Sequence, residues 1–167
     1  VWFSNFSDSE IWIVRALLRA MKIERKFNCM GIVEIQNYEF VEVYYMCEIY
    51  DFLKECGVFY VLTINDNFPA GRPFGAVMEY NDDLYISTAD TKAVYKQLKE
   101  HSNIQIISLK PSTREWVRIN GIAKECVDIG VMKKMLEECP VLAKHFPTPD
   151  TPHYAVFQIK IANFKFY

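Results

Sequence analysis

The sequence predicts an α+β fold that is mainly antiparallel β, with six strands closing into a small barrel and helices flanking it. Short β-branched and aromatic runs recur along the chain, tight polar turns separate them, and segments of helical periodicity fill the gaps. Six antiparallel strands must also hide their edges, and closure into a barrel does this more completely than an open sheet.

Composition limits the class of protein. The chain has 167 residues, 51% of them hydrophobic and 15% aromatic, which predicts one folded domain with a real core. The formal net charge is -2 and no basic cluster is present, so we expect no nucleic-acid partner. The five cysteines lie far apart, which favours reduced thiols in the cytoplasm over disulfides or zinc.

Residues 1–45 are predicted to be an N-terminal extension and residues 46–167 the main domain. Polar residues at 7–10 can cap a helix over 11–26. This helix is too short and too charged to span a bilayer, and we expect no membrane partner. Its polar face lacks a basic excess, so packing on the barrel or on a partner subunit is favoured over a membrane surface. Residues 31–45 are a possible strand.

The first elements of the main domain follow from local signals. Residues 47–55 have helical spacing, and Gly57 stands where a helix end favours positive φ. Two strands are predicted at 58–64 and 72–80, and a third strand at 84–87 makes the three an antiparallel meander.

The remaining elements alternate in type. Gly121 is predicted to mark a bulge in the fifth strand. The predicted elements are a helix at 91–101, strands at 104–109 and 115–125, helical pieces at 131–138 and 140–145, and a last strand at 154–167.

The segment Gly71-Arg72-Pro73-Phe74-Gly75 opens the second strand with a cation. The planar guanidinium suits bidentate phosphate binding, and the glycines allow backbone to approach a ligand closely. A surface salt bridge beside a glycine-shaped turn is the alternative.

A second segment, residues 84–92, leaves a strand through hydroxyl residues and enters a helix. Ser87, Thr88, Thr91, Lys92 and unpaired backbone N–H groups could converge there on one anion. Alternatively, Thr88 or Asp90 is a plain N-cap and Lys92 is a solvated first-turn residue.

The order and spacing of these segments resemble the FMN-binding split barrel of the pyridoxamine 5′-phosphate oxidase-like superfamily over residues 46–167. The similarity is greatest to its nitroimidazole-reductase-like branch, through FLKECGVFYVLT at 52–63 and PAGRPFG at 69–75. The resemblance implies a six-stranded split β-barrel and a homodimer with FMN at the subunit interface.

The resemblance also implies site residues. Arg72 and Lys92 would bind the FMN phosphate, backbone of residues 73–77 would lie beside the isoalloxazine ring, and residues 85–88 would contact the ribityl chain and phosphate. The implied cofactor-binding set is Arg72, Pro73, Phe74, Gly75, Ala76, Val77, Tyr85, Ile86, Ser87, Thr88, Thr91, Lys92 and Trp116.

Two departures from the oxidase matter. This chain lacks the Arg-x-His pair near the C-terminus, so pyridoxamine phosphate oxidation is not expected. Thr91 also stands where the oxidase has Arg. The scattered histidines, His101, His145 and His153, predict no metal site, although His145 and His153 stay open as haem ligands.

The sequence thus predicts an FMN-dependent oxidoreductase that reduces a small acceptor, for example a nitroaromatic, with electrons from NAD(P)H. Tyr85, Trp116 and Arg118 are candidates to shape the acceptor pocket, and no catalytic residue is assigned because FMN carries the redox chemistry. The alternatives are a flavin- or haem-binding storage or sensor protein without turnover, and an interaction protein that has lost cofactor binding.

Overall fold

The computed structural model describes residues 38–167, with side chains from Met46 onward except Cys47. The predicted helix at 11–26 and residues 31–37 of the possible strand lie outside this part. The predicted division at residues 45 and 46 stays a prediction.

Helices occupy four stretches of the described residues: α1 (Tyr38–Cys56), α2 (Ala93–Glu100), α3 (Ile129–Glu138) and α4 (Pro140–Ala143). Helix α1 contains no Gly or Pro, and it ends before Gly57, whose φ of +72° fulfils the sequence prediction. The strand considered for residues 31–45 is wrong for residues 38–45, which belong to α1. A segment without Gly or Pro can continue a helix even when its composition is rich in β-formers. None of these four helices is long and apolar enough to cross a bilayer.

Seven strands form one antiparallel sheet in the described part of the chain, where the sequence predicted six. They are β1 (Phe59–Asn65), β2 (Phe68–Phe74), β3 (Val77–Tyr80), β4 (Asp83–Ala89), β5 (Asn103–Leu109), β6 (Trp116–Cys126) and β7 (Tyr154–Phe166). Their order across the sheet is β2-β1-β5-β6-β7-β4-β3.

The predicted second strand at 72–80 is therefore two strands, and the predicted meander is wrong. Strand β2 pairs with β1 at one edge of the sheet, whereas β3 pairs with β4 at the other edge. The chain changes edges at Gly75 and Ala76, where a Cβ on Gly75 would lie 3.3 Å from the carbonyl oxygen of Gly57. This close approach to another backbone segment favours glycine.

The two-residue connection also constrains the shape of the sheet. Phe74 ends one edge strand and Val77 begins the other, so their Cα atoms are at most about 11 Å apart. The sheet must curl until its two edges approach each other at this corner. No hydrogen-bonded ladder joins β2 to β3, so the sheet is open and the predicted closed barrel is not established.

The curled sheet has two apolar faces. The inner face packs with α1 and α2 in one core, which includes Leu53, Phe59, Ile106 and Phe157. On the outer face, α3 covers a smaller core that includes Met78, Tyr85 and Met135. Strand residues therefore alternate between these faces, which fixes where each site side chain points.

The register between β6 and β7 shifts beside Gly121, but the extra residue is Ala162 on β7, so the bulge lies opposite Gly121 and not in its own strand as predicted. A Cβ on Gly121 would lie 2.9 Å from Ile159 Cγ2, closer than real Cβ atoms come, and 3.0 Å from the Lys160 carbonyl oxygen. A larger residue here would force Ile159 or the β7 backbone to shift.

We expect Gly121→Ala to lower the free energy of unfolding by about 1–3 kcal/mol, because the added methyl overpacks the bulge. Gly71→Ala is the matched control, since its Cβ would make an ordinary 3.7 Å contact with Leu62 Cγ. Urea unfolding of both variants checks this; equal stability of the two would contradict the packing argument.

Candidate functional site

Arg72 is held at the sheet edge by neutral side chains. Its Nη1 donates to Thr63 Oγ1 at 2.8 Å and its Nη2 donates to Gln97 Oε1 at 2.7 Å. Thr63 Oγ1 in turn donates to Gln97 Oε1 at 2.7 Å, and Gln97 Nε2 donates to Asn65 Oδ1 at 2.8 Å. These contacts fix the guanidinium while using only two of its five N–H donors.

The charge of Arg72 is not neutralised by these partners. No carboxylate within residues 46–167 forms an ion pair with it. Arg72 is half-buried, and burial lowers the pKa of its guanidinium below the usual value. An arginine stays protonated even so, and a partly desolvated cation without a counter-ion favours binding of an anion.

Helix α2 connects this cation to the second predicted segment. Gln97 lies on α2, and Lys92 is the residue immediately before the helix. Lys92 and Thr91 are exposed, and Lys92 forms no ion pair with the side chains that the structure describes.

The predicted side-chain cap at Thr88 or Asp90 is not formed: the N-cap is Lys92, which makes no capping side-chain bond. Asp90 binds His153 Nδ1 at 2.7 Å instead.

Two buried hydroxyl groups precede α2. Ser87 is 7% exposed and Thr88 is 5% exposed, and neither hydroxyl oxygen has a hydrogen-bond partner among the described residues. Such groups are rare in folded proteins because each costs about 1–3 kcal/mol. Adjacent strand residues point to opposite faces, so Thr88 shares the inner face with Ile86, and Ser87 shares the outer face with Tyr85.

The predicted residues are divided between the two faces of the sheet. Arg72 on β2 and Thr88 on β4 lie on the inner face, and Lys92 is the exposed residue immediately before α2. Tyr85 is buried in the outer core, where burial and, secondarily, Asp83 raise the pKa of its phenol to about 12. Pro73 is exposed on the outer side of β2.

Trp116 lies on a separate part of the outer face. Its ring stacks on Tyr167 with centroids 4.0 Å apart and an interplanar angle of 6°. Arg118 Nη2 donates to the Tyr167 hydroxyl at 2.6 Å. Trp116 and Arg118 are thus neighbours, as a shared pocket would require.

The two candidate haem ligands have different surroundings. His145 is exposed just beyond α4, and His153 is engaged by Asp90. Within residues 46–167, no three His, Cys, Asp or Glu side chains cluster as a metal site would need.

Sequence reasoning missed the residues that position Arg72. Thr63 alternates with apolar Phe59 and Val61 on the buried side of β1, and Gln97 lies beside Leu98 on the buried side of α2. A polar residue at a core position of a helix or strand is the signal that could have identified both.

The fold and this site define an antiparallel α+β domain with a half-buried arginine on an edge strand. Residues 47–167 match the family described as pyridoxamine 5′-phosphate oxidase. The chain belongs to this family, and the predicted resemblance is confirmed. Members of the family typically bind flavin and generally form dimers.

Solved structures support the assignment. A NimC/NimA family protein from Clostridium acetobutylicum is 33% identical, with a TM-score of 0.69 over 73% of this chain and 86% of that chain. An FAD-binding protein from Mesorhizobium loti is 19% identical, with a TM-score of 0.53 over 72% and 90%. HutZ, the haem storage protein from Vibrio cholerae, is 11% identical, with a TM-score of 0.58 over 72% and 92%. The last two show the fold alone. No curated protein sequence matches the chain closely enough to count as a relative.

We expect Gln97→Leu to lower the free energy of unfolding by about 1–3 kcal/mol, because Thr63 and Arg72 lose their shared acceptor inside the protein. Gln105→Leu is the matched control: Gln105 makes one bond, to Asn120, on the outer face. Urea denaturation compares the two variants. If Gln97→Leu lowers the free energy of unfolding no more than Gln105→Leu does, the network does not hold Arg72.

Proposed function

We propose that the chain is an FMN-binding oxidoreductase that works as a homodimer and reduces a small acceptor, such as a nitroaromatic compound, with electrons from NAD(P)H. The observation that carries the proposal is Arg72, a half-buried cation that neutral side chains orient and that no described carboxylate neutralises. The family membership supports flavin as the ligand. The free thiols of Cys56, Cys126 and Cys139 support a cytoplasmic location.

The residues present fit an FMN phosphate. Arg72 offers three unused N–H donors, and Lys92 adds a second cation at the start of α2. The buried Thr88 hydroxyl without a partner supplies a further polar group on the same face. Phosphate binding would neutralise the charge of both cations, because charge-assisted hydrogen bonds are the strongest available to such groups.

The flavin ring would lie along residues 73–77. Strand β2 is an edge strand, so half of its backbone polar groups point away from the sheet and are open to a ligand. Pro73 and Gly75 are exposed there. When bound, FMN would supply the two-electron redox chemistry between a reduced nicotinamide and the acceptor, and residues 73–77 would orient its ring.

We expect Arg72→Ala and Lys92→Ala each to weaken FMN binding by about 1.5–3 kcal/mol, because each removes hydrogen bonds to a charged phosphate. Lys96→Ala is the matched control, since Lys96 is an exposed lysine on α2 outside the site. Titration of the apoprotein with FMN, followed by flavin fluorescence, measures the three affinities. Unchanged affinity in both site variants would remove the phosphate assignment.

A carboxylate placed next to Arg72 makes a sharper test. Gln97→Glu keeps an acceptor oxygen for Arg72 and gives the guanidinium a counter-ion, while the bond from Nε2 to Asn65 Oδ1 is lost. We expect FMN affinity to fall about tenfold or more, as in Arg72→Ala. If FMN affinity were unchanged while Arg72→Ala abolished binding, Arg72 would act by shape and not by charge.

A further inference from the structure

The turn that leads from β4 into α2 is tied to the residue before β7. The Lys92 N–H donates to the Ala89 carbonyl oxygen at 3.0 Å and so closes the turn. Inside the turn, the Asp90 N–H donates to the His153 carbonyl oxygen at 3.0 Å, and Asp90 Oδ1 lies 2.7 Å from His153 Nδ1. A main-chain bond and a side-chain bond therefore hold His153 against the turn that carries Lys92.

The carboxylate of Asp90 has the same sign of charge as the proposed ligand. Asp90 is two residues from Lys92, so their Cα atoms are at most about 7 Å apart. A phosphate bound by Lys92 would lie close enough to this carboxylate for the two charges to repel at low ionic strength. The proposed phosphate site thus has a neighbour that opposes phosphate binding unless its charge is neutralised.

His153 is the group that can neutralise this carboxylate. Among the described side chains, His153 is the one basic group within ion-pairing distance of Asp90. A protonated imidazole carries N–H on both nitrogens, so it donates to the carboxylate and leaves the pair without net charge. A neutral imidazole can keep the hydrogen bond, but the pair then has one negative charge. The net charge beside the phosphate site therefore depends on one proton.

The other charged side chains on the segments joined here do not form ion pairs with either member. They are Lys92 in the turn, Lys96 in the first turn of α2, and Asp150 in the loop before His153. Of the side chains of lysine, aspartate and histidine, only that of histidine ordinarily changes charge between about pH 5 and 8. A dependence on pH in this range would therefore point to the histidine.

We propose that His153 belongs to the phosphate site and that its proton controls binding. The protonated ring neutralises Asp90 and so favours a bound phosphate, whereas loss of the proton restores the negative charge and weakens binding as the pH rises. The proposal rests on the proposed function for the ligand, and on the Asp90–His153 pair for the dependence on pH. By reciprocity, a bound anion strengthens proton binding to the pair by the same factor.

FMN titrations between about pH 5.5 and 8.5 test this, because histidine changes charge in that range. Both members of the pair are exposed, so low ionic strength is used to limit screening. His153→Asn introduces a residue that readily adopts the observed φ of +69°, and Asp90→Asn removes the carboxylate. His101→Asn, at the exposed far end of α2, is the matched control. Riboflavin, which has no phosphate, is the ligand control.

We expect wild type to bind FMN about three- to tenfold more tightly than His153→Asn at the acid end of the range, and equally at the alkaline end. This comparison cancels the ionisation of the FMN phosphate itself near about pH 6, which both proteins share. Asp90→Asn should bind FMN more tightly than wild type at the alkaline end, by a similar factor. The double variant should bind at every pH as wild type does in acid. His101→Asn should follow wild type, and riboflavin affinity should be equal in all of them.

Proton NMR supplies a readout that needs no flavin. The ring signals of His153 in the wild-type protein are followed against pH in sodium sulfate and in sodium chloride of equal ionic strength. Sulfate is a tetrahedral dianion whose charge is constant in this range. We expect sulfate to move the titration of His153 to higher pH and to leave that of His101 unchanged.

The two proposals fail in different ways. If FMN binds but wild type and His153→Asn have equal affinity at the acid end, the role of His153 is overturned and the flavin function stands. If no FMN binds at any pH but sulfate moves the titration of His153, the anion-linked histidine is supported and the flavin function is overturned. If no FMN binds and sulfate leaves that titration unchanged, both are overturned.

Discussion

The pairing of Arg72 with Thr63 and Gln97 is the interaction on which the candidate site depends. A guanidinium on an edge strand would ordinarily extend into water, but here two short hydrogen bonds tie it to the buried face of β1 and to α2. Neutral oxygens accept two of its hydrogen bonds but do not neutralise its charge. The same contacts connect β2 to α2, the helix that follows Lys92.

The sheet topology explains why such a site can exist. Because only Gly75 and Ala76 separate β2 from β3, the chain passes from one edge of the sheet to the other over a very short distance. The inner face is enclosed by this curl and by α1 and α2, while much of the outer face of β1, β5 and β6 stays accessible, with Tyr60 52% and Leu109 53% exposed.

Much of the fold could be predicted from local sequence, because its signals act over a few residues. Gly57 at a helix end and an irregularity at Gly121 were found from their neighbours alone, although the extra residue of the bulge lies on β7. The division of the strand at 72–80 was missed. Alternation of polar and apolar residues indicates which face of a sheet each side chain takes, but not which strand pairs with which. The strand considered for residues 31–45 was wrong from residue 38 onward for a related reason. A composition rich in β-branched residues does not prevent a continuous helix.

The site was predictable only in part. Arg72 and Lys92 were identified through their segments, but Thr63 and Gln97 are joined to Arg72 only in the folded chain, nine and 25 residues away in sequence. Ser87 and Thr88 were expected to converge on one anion, although strand alternation already implies that their side chains diverge.

The most direct measurement is the visible absorption spectrum of the freshly purified protein, followed by release and chromatographic identification of any chromophore. The account predicts flavin bands close to stoichiometric with the chain, and FMN as the released compound. A colourless protein that takes up no FMN on titration would contradict the account, and so would a Soret band from bound haem in place of flavin.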